Sequence, residues 1–299
     1  MTDFSRGAAF IDGEYLAVSD AKIPVLDWGF LHSDATYDVA HVWQGSFFRI
    51  DSYLDRFERS MGALRMSVDY SREQIRDVMF ELVRLSGLRD AYVEIVCTRG
   101  LPAPGSRDPR TCKNRFFAFA IPFVWIADEG LRERGLNLLI GNRQRIPPES
   151  IDPRIKNYHW LDMVMGLFEA YDARADSVVL VDGHGHIVEG PGFNVFIRKS
   201  DKVVTPERGV LHGVTRATVL ELLDAEPVTV GCEPVPIADV ETADEVFITS
   251  TAGGVMPVTR ISGKPVGNGR PGELTARLND AYWKLHTDPA YTSPVDYGK

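Results

Sequence analysis

Two helical patterns sit among β-forming runs in the first 124 residues, and this interleaving constrains the fold more than any other feature of the chain. Leu54, Phe57, Met61 and Leu64 recur three or four apart while Arg56, Glu58 and Arg59 fill the positions between them, which predicts an amphipathic helix. Ser71 with Gln74 forms a capping box, Ile75, Val78, Met79 and Leu82 give a second apolar stripe, and Gly87 ends it. Around these helices, Phe10-Ile-Asp-Gly-Glu-Tyr-Leu16 reads as a hairpin and residues 47–50 as a short strand. Residues 91–98 and 116–124 are strands joined by the irregular, Pro- and Gly-rich stretch 101–110.

Charged and glycine-containing residues dominate 125–135, so a domain of residues 1–124 is expected to end there, with 125–135 as linker and 136–299 as a second domain. Strand-like runs follow at 136–140, 177–181, 187–197, 203–204 and 246–249, and helical spacing at 160–174, 214–223 and near 274–285. The fold class is therefore α+β, in two domains.

Composition removes several classes of function. The net charge of −9 leaves no basic footprint for nucleic acid. No run approaches the ~18 apolar residues of a membrane span, and the first residues lack the pattern of a signal peptide, so a cytoplasmic protein is expected. Cys97, Cys112 and Cys232 are too few for a disulfide framework. The nucleotide-binding glycine motifs and H-E-x-x-H are missing, and His184-Gly-His186 reads as a turn rather than a metal site, so no metal is expected.

The lysines carry more information, because there are only eight. A lysine that attacks a carbonyl must escape the full protonation of its ordinary pKa of ~10.4, which needs a partly desolvated setting. Lys156 has one, in Ile155-Lys-Asn-Tyr-His-Trp-Leu161, whereas most of the others flank polar turns. Val188-Glu-Gly-Pro-Gly-Phe-Asn-Val-Phe196 places Glu189 at the head of a glycine-rich passage where a flat ligand or another backbone can approach. Leu211-His-Gly-Val-Thr-Arg216 leads into a helix, and Thr249-Ser-Thr-Ala-Gly-Gly254 ends a strand; both offer hydroxyls and N–H groups suited to a phosphate.

Taken together, Lys156, Glu189, Gly-Val-Thr-Arg at 213–216, Ser-Thr-Ala-Gly-Gly at 250–254 and Leu54-Asp-Arg-Phe57 resemble the fold-type IV pyridoxal-phosphate-dependent aminotransferases over nearly the whole chain. The resemblance implies a small α/β N-terminal domain, a larger C-terminal domain built as a pseudo-barrel, a homodimer, and pyridoxal 5'-phosphate as cofactor. It implies that Lys156 forms a Schiff base with the cofactor and shuttles the proton, that Glu189 holds the pyridine nitrogen, and that Arg56, Val214, Thr215 and Thr251 hold the phosphate.

On the substrate side, Gly29-Phe-Leu-His-Ser-Asp-Ala-Thr-Tyr-Asp-Val39 and Tyr92-Val-Glu-Ile95 are similar to the (R)-selective amine transaminase branch, which implies a pocket lined by His32, Tyr37, Val39, Tyr92, Glu94 and Trp160. Glu94 stands where branched-chain aminotransferases typically carry an arginine, which removes one cation suited to a substrate carboxylate. Gly105-Ser-Arg-Asp108 resembles the loop of that branch in which an arginine, here Arg107, turns in for a carboxylate and out for a hydrophobic amine. The expected substrates are a primary (R)-amine and pyruvate or a similar 2-oxo acid. D-amino-acid and branched-chain aminotransferases, and less closely aminodeoxychorismate lyases, share the same cofactor residues.

Overall fold

The structure, a computed structural model, describes residues 6–298. The chain sorts into two compact units that are not contiguous in sequence. Among the described residues, one holds the chain up to Val124, the segment Ile155–Tyr158 and the stretch from His286 onward; the other holds Trp125–Arg154 and His159–Leu285.

The first unit is built on a seven-stranded sheet in the order Thr292–Pro294, Ser46–Phe48, Ala35–Trp43, Ala91–Leu101, Lys113–Pro122, Ala8–Ile11 and Glu14–Ala17. Every neighbouring pair in it is antiparallel. The Asp12-Gly13 turn closes the expected hairpin, with Ile11 opposite Glu14. Both expected helices form, as Ile50–Ala63 and Arg72–Ser86, and the capping box of Ser71 and Gln74 is present in full. Leu54, Phe57 and Met61 of the first and Ile75, Val78, Met79 and Leu82 of the second are buried. Each such side chain contributes about 1.5–3 kcal/mol relative to exposure.

Strand Ala35–Trp43 positions the chemistry. Side chains alternate between the faces of a strand. Tyr37, Val39 and His41 therefore share one face with their partners Val96, Glu94 and Tyr92, while Asp38 points to the other, where Arg56 of helix Ile50–Ala63 meets it.

The second unit carries an eleven-stranded mixed sheet. Its central order is Lys202–Thr205, Phe193–Lys199, Glu245–Ser250, Gly254–Ile261, Leu136–Gln144 and Ser177–Val181. The last three strands run parallel to one another, and the rest of that path is antiparallel. Helix Leu161–Asp172 packs on strands Leu136–Gln144 and Ser177–Val181, and helix Val214–Leu223 packs on Glu273–Lys284. Residues 187–197 do not form one strand. Gly192, with φ of 81°, lets the chain fold back so that Glu189 pairs with Asn194 and Gly190 with Phe193. Residues 125–135 carry a short helix, Glu129–Arg134, capped by Asp128. Among the described residues no helix is long and apolar enough to cross a membrane.

Candidate active site

In the first unit, the segment Ile155–Tyr158 is stitched to the sheet by its backbone. Thr36 and Asn157 form a β-bridge, the Tyr37 N–H and the Thr36 hydroxyl donate to the Lys156 carbonyl at 3.2 and 2.7 Å, and the Lys156 N–H donates to Ser60 Oγ at 3.3 Å. These bonds fix where the lysine side chain begins. Its Nζ lies 4.3 Å from the centroid of the Tyr37 ring, a cation–π distance. Tyr37 stacks on Tyr158 with centroids 4.2 Å apart, and the Tyr158 hydroxyl donates to Glu94 Oε1 at 2.5 Å. Burial pushes the Glu94 carboxyl up to about 7, against the opposing pull of the Tyr158 hydrogen bond and the Lys156 charge. Val39 and Val96 are buried in the same cluster, with Tyr92 and Phe117 packed against it. Burial, followed by the charge on Glu94, holds the Tyr92 phenol well above its ordinary value.

Arg56 makes a buried two-point ion pair with Asp38, through Nε at 2.8 Å and Nη2 at 2.7 Å. Burial works against its charge, and Asp38 more than restores it, so the guanidinium pKa is raised. Arg107 is exposed on a loop whose backbone is self-bonded: Ser106 N–H donates to the Ala103 carbonyl and Asp108 N–H to Ser106 Oγ. His32 is exposed at the end of helix Trp28–His32, its ring 4.7 Å from that of Trp28.

In the second unit, Glu189 is buried with both oxygens occupied. Oε1 accepts from Arg145 Nε at 3.2 Å, and Oε2 accepts from the Leu211 N–H at 2.8 Å. Arg145 also donates through Nη1 to Asp162 Oδ2 at 2.7 Å. Asn194, opposite Glu189 in the hairpin, donates through Nδ2 to the Leu211 carbonyl, so one loop is held by two hairpin residues. That loop leads into helix Val214–Leu223, whose N-cap is Gly213 and which has no side-chain cap. A Cβ at 213 would stand 2.3 Å from Asn194 Oδ1, which explains the glycine.

Val214 and Thr215 open the helix, and Thr215 is 2% exposed. Its Oγ1 is buried and has no hydrogen-bond partner among the described residues; the same holds for Thr249 Oγ1, on the strand residue paired with Asn194. Ser250 Oγ donates to the Gly192 carbonyl and accepts from the Ala252 N–H, bracketing Thr251. Trp160 is the N-cap residue of helix Leu161–Asp172, and its ring is the second nearest group to the position a Cβ on Gly192 would take.

The structure thus brings Lys156, Tyr37, Val39, Tyr92 and Glu94 into one cluster, and Glu189, Val214 and Thr215 into another. Arg145, Asp162, Asn194 and Tyr158 are site residues that the sequence reading does not anticipate. Arg145 reads in sequence as one of several arginines, and only the pairing of Glu189 through the hairpin reveals its place. Tyr158 is visible there as an aromatic neighbour of Lys156.

The family model for class IV amino-transferases matches residues 35–261. The chain is 34% identical over 281 residues to a putative branched-chain-amino-acid aminotransferase of Methanocaldococcus jannaschii, spanning 93% of this chain and 96% of that one. It is 27% identical over 278 residues to the D-alanine aminotransferase of Staphylococcus haemolyticus, spanning 92% and 96%. Among solved structures, the T.th. branched-chain amino acid aminotransferase with pyridoxamine 5'-phosphate superposes with a TM-score of 0.90 at 24% identity, over 97% of this chain and 99% of that one. The Escherichia coli branched-chain amino acid aminotransferase gives 0.87 at 22%, over 97% and 99%.

The residues present fit such a cofactor. An uncapped helix start and a buried hydroxyl without a partner among the described residues are the donors that a phosphate group satisfies. Lys156 offers an amine among aromatic rings, and Glu189 a fixed carboxylate. When bound, pyridoxal 5'-phosphate supplies an aldehyde for an amine and a ring that accepts an electron pair. From the family match and the shared α+β fold, with its small N-terminal domain and larger pseudo-barrel domain, the chain belongs to the class IV aminotransferases and is a pyridoxal 5'-phosphate-dependent enzyme of fold type IV.

Proposed function

We propose that this aminotransferase moves the amino group of a primary (R)-amine to pyruvate or a similar 2-oxo acid. The observation that carries this reading is Glu94. It is a buried carboxyl in the Lys156 cluster, and it stands where the resemblance to branched-chain enzymes calls for an arginine. A carboxylate-bearing donor meets no arginine at that position and, once Glu94 ionises, a like charge. Arg107, exposed and outside any ion pair among the described residues, is the group left to receive the carboxylate of pyruvate.

The remaining roles follow the same reading. Lys156 would hold the cofactor through its amine and would carry the proton to and from the substrate carbon. Glu189, paired with Arg145, stabilises positive charge on the pyridine nitrogen. Arg56, Val214, Thr215 and Thr251 hold the phosphate, while Tyr37, Val39, Tyr92, Trp160 and His32 line the space for the amine. We read the enzyme as a homodimer acting in the cytoplasm. Support for the dimer comes from Leu161, Met165, Phe168 and Tyr171, all at least 41% exposed along one helix.

The names of the relatives favour a second reading, a branched-chain or D-amino-acid aminotransferase. A panel of (R)-1-phenylethylamine, its (S)-enantiomer, D-alanine and L-leucine, each with pyruvate or 2-oxoglutarate as acceptor, decides between them. Preferred turnover of the (R)-amine supports the proposal. Turnover confined to an amino acid replaces it with the second reading.

A further inference from the structure

We propose that Glu94, held by Tyr158, is a positioning residue that supplies negative charge beside Lys156 and so sets the protonation of the lysine nitrogen in the cofactor-bound enzyme. The proposal rests on Lys156 being the lysine that carries the cofactor; reduction with borohydride and mapping of the labelled peptide test that point separately.

The geometry is specific. Glu94 faces the Lys156 segment from strand Ala91–Leu101, and no cation pairs with it among the described residues. Its one side-chain hydrogen bond among them comes from Tyr158, two positions after Lys156, and Tyr158 is stacked on the Tyr37 ring that also receives Lys156 Nζ. A buried carboxyl without a guanidinium or ammonium bonded to it costs stability, and an apolar residue of the same size would be cheaper. The charge is therefore explained by a use, and the ionisable group it acts on is the lysine nitrogen.

The other groups around this carboxyl do not replace that role. Asp38, next to Val39 on strand Ala35–Trp43, points to the opposite face and is held there in the two-point pair with Arg56. Tyr37 and Tyr92 are phenols, and Tyr92 is held well above its ordinary pKa. His41 lies opposite Tyr92 but is bonded to His286 and held neutral by burial. Strand Lys113–Pro122 presents Phe119 opposite Glu94. This leaves Lys156 as the positive group whose charge acts on Glu94, and the coupling is reciprocal.

Burial pushes Glu94 up to about 7, so its charge changes near neutrality, and the Tyr158 hydrogen bond favours the charged form. Removing the carboxylate must lower the affinity of the lysine nitrogen for its proton. Removing only the phenol leaves Glu94 protonated to higher pH and acts in the same direction by less.

The experiment is a pH titration of the absorbance of the bound cofactor, which reports protonation of the lysine nitrogen independently of turnover. Glu94→Gln should lower the apparent pKa by about one pH unit relative to wild type, the low end of what a neighbouring opposite charge produces. Tyr158→Phe should lower it by a smaller amount, and Glu94→Asp should restore part of the loss. A Glu94→Gln titration that coincides with wild type overturns the proposal. If Glu94→Gln fails to hold cofactor, Tyr158→Phe carries the decision, and coincidence of its titration with wild type overturns the proposal equally.

Discussion

Arg145 reaches Glu189 through Nε at 3.2 Å while its Nη1 donates to Asp162 at 2.7 Å, so one guanidinium is shared by two carboxylates that are both nearly buried. Burial opposes the charge on Arg145, and the two carboxylates raise its pKa in spite of that. Arg145→Met takes the shared cation from both anions in a dry setting, and breaking a buried pair from one side costs about 3–5 kcal/mol. Chemical denaturation of the cofactor-free variant should show a loss of that order. A loss within ~0.5 kcal/mol would mean that Glu189 and Asp162 do not depend on Arg145.

Glu189→Gln separates holding from charge. The amide keeps the shape of the side chain but presents an N–H₂ group to either the Arg145 donor or the Leu211 N–H, and it carries no charge. Cofactor should still bind through the phosphate residues, while single-turnover proton abstraction slows by about a hundredfold or more, the scale of one preorganised electrostatic partner. An unchanged single-turnover rate would confine Glu189 to a structural part.

Thr215→Val tests the phosphate site from the opposite direction. The Thr215 hydroxyl is buried with no partner among the described residues, so removing it should leave the cofactor-free protein as stable as wild type or more so. The same change deletes a hydrogen bond to a charged group when the cofactor binds, worth about 1.5–3 kcal/mol. Equilibrium titration should therefore show cofactor affinity reduced roughly ten- to a hundredfold, with no fall in the melting temperature of the cofactor-free protein. Equal affinity would remove Thr215 from the phosphate site.

These residues also mark how much of the fold and site is legible in the sequence. Helix Val214–Leu223 has the bounds expected from its periodicity, and the capping box of Ser71 and Gln74 is legible because its partners are three residues apart. Lys156 and Glu189 are legible as unusual residues in local context. Strand Ala35–Trp43 is not: it is buried on both faces but carries Thr36, Asp38 and His41, so neither alternation nor an apolar run announces it. Its polar residues are tolerated because Arg56 bonds Asp38, His286 bonds His41 Nε2 and the Lys156 carbonyl accepts from Thr36, and those partners are 18, 245 and 120 residues distant. The return of residues from His286 onward to the first unit is hidden for the same reason, since the pairing of Thr292 with Phe48 has no local signal.

Below neutrality, two buried groups of the first unit pull stability in opposite directions. His41 is bonded to His286 at 2.7 Å and held well below its ordinary pKa by burial and then by the His286 charge. The unfolded chain takes up the proton near pH ~6.5 and the folded protein does not, so this residue makes stability fall as pH drops below that point. Glu94 has the reverse sign: its folded value of about 7 lies above the unfolded value, so stability rises as pH falls from about 7 toward ~4.3. Denaturation at a series of pH values should show His41→Gln losing less stability on acidification than wild type, and Glu94→Gln losing more. Each slope should differ from wild type by at most ~1.4 kcal/mol per pH unit. Parallel curves for all three proteins would mean that neither group changes its proton affinity on folding.

The contrast between Glu94 and Arg107 separates the amine reading from its amino-acid relatives. Glu94 is fixed on a central strand by Tyr158, whereas Arg107 projects from a loop whose bonds are made by Ala103, Ser106 and Asp108 and leave its side chain exposed. An amine without a carboxylate needs nothing from that guanidinium. Pyruvate draws it into a charge-assisted contact with two-point geometry. Arg107→Ala should therefore weaken the half-reaction with pyruvate far more than the half-reaction with (R)-1-phenylethylamine. A hydrogen bond to a charged group is worth about 1.5–3 kcal/mol, so the loss in kcat/KM for pyruvate should be roughly ten- to a hundredfold. Stopped-flow measurement of each half-reaction reads the two effects apart. Equal losses in both would take the carboxylate role from Arg107. A wild type that reacts well with D-alanine or L-leucine and not with the amine would place the enzyme among the amino-acid-specific members of its family.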